Sequence, residues 1–123
     1  MTGKSSNQHL TTGKAAEQFA LEFLRHNGLR HLLSNVSYKF GEIDHIMRDA
    51  DEIVFVEVRY RRNNRYGSGF ESITHAKKSR LRKAAEYFLQ SNPDISFQSS
   101  RFDVVSLSPG SPQYKVDWIK DAF

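Results

Sequence analysis

The stretch GEIDHIMRDADEIVFVEVRYR, residues 41–61, decides the fold of this chain. Residues 41–48 predict one strand, and the density of Val, Ile, Phe and Tyr in residues 52–60 predicts a second, largely buried strand. Asp49-Ala50-Asp51 between them predicts a tight turn. The two strands are therefore expected to pair as an antiparallel hairpin.

Helical periodicity lies on both sides of this hairpin. Apolar residues at i, i+3, i+4 and i+7 predict a helix over residues 14–27, stopped by Gly28, and a second helix over residues 74–90. The other segments predict three strands, 29–38, 101–107 and 114–119, and a loop, 63–69. The order predicts an α/β fold with a mixed sheet flanked by helices, and a right-handed crossover makes the strands 52–60 and 101–107 parallel.

Length and composition bound the class of protein. At 123 residues without cysteine, the chain fits one domain and has neither disulfides nor thiolate zinc sites. No apolar run approaches the roughly 20 residues of a spanning helix. We therefore expect a cytoplasmic protein with a flexible N-terminus over residues 1–10 and one domain over residues 11–123.

Positive charge is concentrated in one part of the sequence. Residues 59–83 hold nine lysines and arginines against the single acid Glu71, a net charge of +8 in a chain whose total is +4. Such a run is typical of a solvated helix face or of a surface that binds phosphates without reading bases. If it binds nucleic acid, the candidate contacts are Arg61, Arg62, Arg65, Tyr66, Lys77, Lys78 and Arg82.

Acidic side chains fall on defined faces of the predicted hairpin. Because side chains alternate along a strand, Glu42, Asp44 and Ile46 should share one face and Ile43, His45 and Met47 the other. Glu57 shares its face with Phe55, Arg59 and Arg61 by the same rule. A plausible register of the hairpin places Asp44 opposite the neighbourhood of Glu57.

Two interpretations fit a pair of carboxylates at this position. A divalent cation, Mg²⁺ or Mn²⁺ in its place, would take Asp44 and Glu57 as ligands together with waters and a substrate phosphate. Alternatively, Arg59 or Arg61 forms an ordinary cross-strand ion pair with these acids. Glu17 stands at the edge of the apolar stripe of the first helix, where it either points toward the sheet or remains a boundary residue.

Several short segments, taken in order, resemble the YraN (UPF0102-type) family of small bacterial proteins: Gly41-Glu42-Ile43-Asp44, Phe55 to Arg61, Tyr66-Gly67, Lys77 with Leu81 and Ala84-Ala85, and Arg101-Phe102-Asp103-Val104. The resemblance implies a restriction-endonuclease-like, PD-(D/E)xK fold similar to that of Holliday-junction resolvases, and nucleic-acid binding. It also implies that Asp44 is the first acid of the superfamily motif, Glu57 the second and Glu17 the helix carboxylate. By analogy with the resolvases, the resemblance also implies a homodimer.

Position 59 departs from the family pattern, which usually has lysine there. Arg59 stays protonated, so it suits a phosphate but not the role of a base, and Lys77 could reach the site from the second helix or lie exposed. We therefore rank a structure-selective or non-specific DNA-binding protein first. A Mg²⁺-dependent endonuclease acting on branched or distorted DNA comes second, and a protein adaptor third.

Overall fold

The structure is a computed structural model that describes residues 12–62, 73–95 and 99–123. Within these ranges, two helices and five strands follow one another in the order that the sequence predicts, and their ends differ from the prediction by two residues at most. They are α1 (Thr12–His26), β1 (Arg30–Tyr38), β2 (Gly41–Asp49), β3 (Glu52–Tyr60), α2 (His75–Ser91), β4 (Ser100–Pro109) and β5 (Tyr114–Ile119).

Local chemistry sets the ends of both helices. Gly28 follows α1 with φ +94°, a left-handed conformation that favours glycine, and so lets the chain turn into β1. The side chain of Thr74 caps the start of α2 by accepting a hydrogen bond of 3.1 Å from the backbone N–H of Lys77. A single residue therefore sets each of these ends, Gly28 at the end of α1 and Thr74 at the start of α2.

The five strands form one mixed sheet in the order β1-β2-β3-β4-β5. The β2–β3 hairpin is antiparallel, and β3 and β4 are parallel because α2 crosses between them. Both predictions are confirmed, as is the mixed α/β class.

The helices cover opposite faces of the sheet. On one face α1 packs against β1, β3 and β4, with Ala20 and Leu24 buried against Val54, Val56 and Val105. On the other face α2 packs against β2, and Ala84 and Phe88 contact Ile46 and Phe55. Glu57 follows Phe55 by two residues, so it points toward the α2 face.

The predicted faces of β2 are wrong at one residue. Ile43 was expected opposite Ile46, yet both lie in the core cluster beneath α2. The pairing of β2 with β3 ends at His45 and Val56, and Asn35 on the neighbouring strand has φ +53°. The regular alternation of side chains between the two faces therefore stops at Asp44, where β2 no longer pairs with β3.

Some predictions fall outside the described residues. The N-terminal segment 1–10 and the loop 63–69, with Arg65 and Tyr66, lie there. Neither helix of the described ranges is long and apolar enough to cross a membrane.

Candidate functional site

A cleft of about 580 Å³ opens at the end of the hairpin away from its turn. Four elements contribute to it: α1, β2, β3 and α2. The residues of the sequence-predicted catalytic set all line this cleft, together with two cations of α2: Glu17, Asp44, Glu57, Arg59, Lys77 and Arg80. The structure therefore brings together side chains that lie up to 63 positions apart in the sequence.

Asp44 is held in place by the backbone of the next strand. Because the β2–β3 ladder ends one residue earlier, the N–H of Val58 donates to Asp44 Oδ2 at 2.8 Å in place of a ladder hydrogen bond. Asp44 is only 9% exposed and Glu57 only 4%. The break in the ladder thus places two buried carboxyl groups side by side.

The surroundings of Asp44 disfavour its charge. Burial is the largest cause and the neighbouring Glu57 the second, and together they raise the pKa of Asp44 from 3.8 to about 8. The hydrogen bond from Val58 opposes the rise, whereas Glu17 and Glu42 add to it. In the metal-free protein the Asp44 carboxyl therefore holds a proton at neutral pH.

Glu57, in contrast, has two cations beside it. Lys77 Nζ lies 3.1 Å and Arg59 Nη1 3.6 Å from Glu57 Oε2. Lys77 is half-buried rather than extended into solvent, which decides between its two predicted placements. Arg59 does form an ion pair with Glu57, but both residues lie on β3, so the pair runs along one strand and not across two as the alternative expected, and the shorter contact to Glu57 comes from Lys77.

Glu17 reaches the cleft from α1, as one of its two predicted placements requires. Its Oε1 accepts a hydrogen bond of 3.0 Å from Asn35 Nδ2 and lies 3.4 Å from Lys14 Nζ. These contacts fix the carboxylate at the wall of the cleft. Its charge is felt by Asp44, whose pKa it helps to raise.

A chain of hydrogen bonds fixes α1 over the cleft. His45 Nε2 lies 2.8 Å from the backbone oxygen of Glu17, and its Nδ1 lies 2.7 Å from Ser34 Oγ. The first contact requires a hydrogen on Nε2, so Nδ1 accepts from the Ser34 hydroxyl. Burial lowers the pKa of His45, which keeps the ring neutral and this direction of donation intact.

The cleft offers a carboxylate pair to a metal. Within residues 12–62, 73–95 and 99–123, no group of three or more histidine or acidic side chains could hold a metal ion. Glu17 therefore lines the cleft without completing a three-acid cluster. Asp44 and Glu57 match the one or two carboxylates that Mg²⁺ typically takes from a protein.

The predicted phosphate contacts separate into two groups. Lys77 enters the cleft, whereas Lys78 Nζ and Arg82 Cζ lie 5.9 Å and 5.3 Å from the ring centroid of Phe123. Arg61 is partly buried at the end of β3, and Arg62 beyond it is exposed.

Sequence reasoning named no role for Arg80, which lines the cleft beside Lys77. The signal was present, because the two residues are three apart and so share a helix face. Whether that face points toward the cleft depends on how α2 packs on the sheet.

Comparison with known proteins gives one consistent result. Residues 16–107 match the model described as "Uncharacterised protein family UPF0102". A UPF0102 protein of Pseudomonas fluorescens is 46% identical over 115 residues, 94% of each chain. Another from Pseudomonas entomophila is 48% identical over 90% of this chain and 91% of its own length, and one from Nitrosococcus oceani is 42% identical over 94% and 93%. Each relative is matched over nearly its full length.

Proposed function

This chain belongs to the UPF0102 family, and we propose that it binds the phosphodiester backbone of a nucleic acid, most readily DNA, at the acidic cleft. The observation that carries the proposal is the arrangement of charged side chains at the site, with buried acids beneath and cations beside them. Buried Asp44 and Glu57 form its floor, and Arg59, Lys77 and Arg80, which we call the cationic margin, stand beside them. Such contacts position a backbone without reading bases, so binding is structure-selective or non-specific.

When both of its carboxyl groups are ionised, the floor repels a phosphate. The cationic margin attracts one, and a divalent cation held by these carboxylates would remove the repulsion. The pair of carboxylates fits this ion, with Asp44 and Glu57 as the residues that would hold it. When bound, Mg²⁺, or Mn²⁺ in its place, polarises a phosphoryl oxygen and lowers the pKa of a coordinated water.

The chain's own residues divide the remaining tasks. Arg59 presents a planar, positively charged fork that suits a phosphate. Lys77 holds Glu57 at 3.1 Å and faces the same cleft, so it supplies a second cation to the phosphate. Asn35 and the hydrogen-bonded His45 keep Glu17 at the wall of the cleft.

We extend the proposal to the fold family. The arrangement that supports a PD-(D/E)xK-type fold is an antiparallel hairpin with one acid on each strand, followed by a helical crossover to a parallel strand. Arg59 stands two residues after Glu57, at the place of the motif lysine. A helix lysine in the same cleft compensates for the missing one.

Charge reversal of exposed arginines tests the binding proposal. We expect Arg62→Glu with Arg80→Glu to lower DNA affinity at low salt by at least about tenfold, because two phosphate contacts are lost. The slope of log affinity against log salt concentration should fall by about 2. Fluorescence anisotropy with a labelled duplex across a salt series measures both quantities.

The matched control is Arg25→Glu with Arg30→Glu, the same change in net charge on α1 and at the start of the edge strand β1, where Arg30 is opposite Arg48 near the hairpin turn. Because these residues lie outside the cleft, their variant should keep most of the affinity. Equal losses in the two double variants would mean that net charge, and not the cleft, governs binding.

Hydrolysis is the second candidate function, and the contact between Lys77 and Glu57 favours it. A cleavage assay on branched, flapped, single-stranded and duplex DNA with Mg²⁺ or Mn²⁺ separates cutting from holding. Asp44→Asn and Glu57→Gln serve as controls, since each removes a carboxylate of the floor. Product that persists in both variants is contamination, and its absence in the wild type leaves a binding protein.

A further inference from the structure

Three aromatic side chains from different elements meet on the surface beside α2. Tyr38 ends β1, Phe40 lies in the β1–β2 turn and Tyr87 projects from α2. The ring centroids of Tyr38 and Tyr87 are 4.9 Å apart, those of Tyr38 and Phe40 5.6 Å, and those of Phe40 and Tyr87 6.1 Å. We call this group the aromatic cluster.

The cluster has a packed side and an open side. Tyr38 and Phe40 pack against the core beneath α2 and are half-buried. Tyr87 is 51% exposed, the largest exposed fraction among the large hydrophobic residues of the described ranges. A rigid, supported ring with an open face is the arrangement that stacks on a nucleobase.

Cations connect the cluster to the cleft. Lys83 Nζ lies 5.8 Å from the Phe40 centroid. Arg80 lines the cleft, and its Cβ lies beside Gly41, the residue after Phe40. Arg80, Lys83 and Tyr87 are spaced i, i+3 and i+7, so they follow one face of α2 away from the cleft.

The distance suits a short single strand. Lys77 and Tyr87 are ten residues apart on α2, about 15 Å at 1.5 Å per residue. At about 3.4 Å per nucleotide along a strand, this is roughly four or five nucleotides. Paired bases are already stacked on both faces, whereas an unpaired base has a face to offer.

We propose that the aromatic cluster stacks on an unpaired base of the nucleic acid whose backbone crosses Lys83 and Arg80 into the cleft. The inference rests on the proposed function and narrows its substrate class to nucleic acids that carry unpaired nucleotides a few positions from the bound phosphate, such as flaps, overhangs and single strands. The positive charge along the path favours this occupant over an apolar segment of protein.

The test compares two ligands that differ only in unpaired bases, a blunt duplex and the same duplex with a six-nucleotide overhang. Tyr87→Ala should lower affinity for the overhang ligand by about tenfold, the usual effect of removing one stacking ring. Affinity for the blunt duplex should stay unchanged. Tyr87→Phe keeps the ring and should bind both ligands like the wild type, and Gln90→Ala, one turn further along α2, should do the same.

A second measurement needs no variant. With 2-aminopurine placed at successive overhang positions, stacking on the cluster should change the fluorescence at one or two positions and leave the paired positions unaffected. A fluorescence change of equal size at every position along the strand would overturn the inference.

The outcomes separate the two proposals. Wild-type protein that binds the blunt duplex, with no effect of Tyr87→Ala on the overhang ligand, overturns the cluster as a base-binding site and leaves the proposed function standing. Equal losses for both ligands also overturn it, because stacking on an unpaired base predicts a difference. Wild-type protein that binds neither ligand at low salt overturns both proposals.

Discussion

Asp44→Asn is expected to stabilise the metal-free protein at pH 8 by several kcal/mol while leaving it almost unchanged near pH 3. The amide keeps an oxygen to accept the hydrogen bond from Val58 and carries no charge at any pH. The wild-type aspartate ionises readily in the unfolded chain at pH 8, whereas in the folded state burial and Glu57 make its ionisation unfavourable. The variant removes that unfavourable ionisation.

The sign follows from the two pKa values. Folding raises the pKa of Asp44 from 3.8 to about 8, so between these values the folded state binds more protons than the unfolded state. Stability of the wild type therefore falls as pH rises through this window, by at most about 1.4 kcal/mol per pH unit from this group. The advantage of Asp44→Asn should grow over the same window and level off above pH 8.

Urea unfolding at pH 3, 6 and 8 in EDTA measures this difference. Asp117→Asn makes the same chemical change at an exposed position of β5 and should leave the free energy of unfolding within about 0.5 kcal/mol of the wild type at each pH. An Asp44→Asn protein that is less stable than the wild type at pH 8 would show that the carboxylate is already well compensated in the metal-free cleft.

Metal addition gives the second half of the same result. Since a metal ion binds the ionised carboxyl, its affinity should rise with pH as Asp44 releases its proton. Millimolar Mg²⁺ or Mn²⁺ should therefore raise the melting temperature of the wild type more at pH 8 than at pH 6. Asp44→Asn should show little of this gain, and a metal effect of equal size in both proteins would place the ion elsewhere.

The hairpin and its acids were accessible from sequence because both depend on local rules. Alternation along two strands and a short turn suffice to bring Asp44 toward Glu57. Ile43 shows where the rule ends, since its face depends on where the β2–β3 ladder stops. At that point the Asp44 carboxyl accepts the hydrogen bond from Val58, a contact that no periodicity encodes.

The rotation of α2 about its own axis was the second feature that the sequence did not predict. The sequence predicted Lys77 and Lys78 as contacts of one phosphate-binding surface, whereas Lys77 enters the cleft and Lys78 lies against Phe123. The two are adjacent in sequence, so their separation reflects the rotation of α2 on the sheet. The sequence did not predict the aromatic cluster for a related reason, because its three rings come from three different parts of the fold.

At the turn end of the hairpin, away from the cleft, Arg101 and Asp103 form the centre of a hydrogen-bond network. The guanidinium of Arg101 donates to Glu52 Oε1 at 2.8 Å, to Asp49 Oδ2 at 2.9 Å and to Asp103 Oδ1 at 2.9 Å. Asp103 is fully buried and also accepts from Trp118 Nε1 at 3.0 Å and from the backbone N–H of Asp121 at 2.9 Å. The network therefore fastens β2, β3 and β5 and the C-terminal residues to β4.

Arg101→Met is expected to lower the free energy of unfolding by about 3–5 kcal/mol, because it leaves the buried Asp103 carboxylate without its cation. Arg25→Met is the matched control, since Arg25 and Glu22 form an exposed pair at 3.8 Å on α1 and its loss should cost less than about 1 kcal/mol. Chemical denaturation compares the two. Adding Asp103→Asn to Arg101→Met removes the stranded charge and should recover part of the loss, which is the sign of coupling within one network.

Because Arg101 lies at the opposite end of the hairpin from Asp44, folded Arg101→Met protein should bind DNA as the wild type does. A loss of affinity in the folded variant would join this network to the cleft, and a loss of stability under 1 kcal/mol would show that Asp103 is satisfied by its other donors.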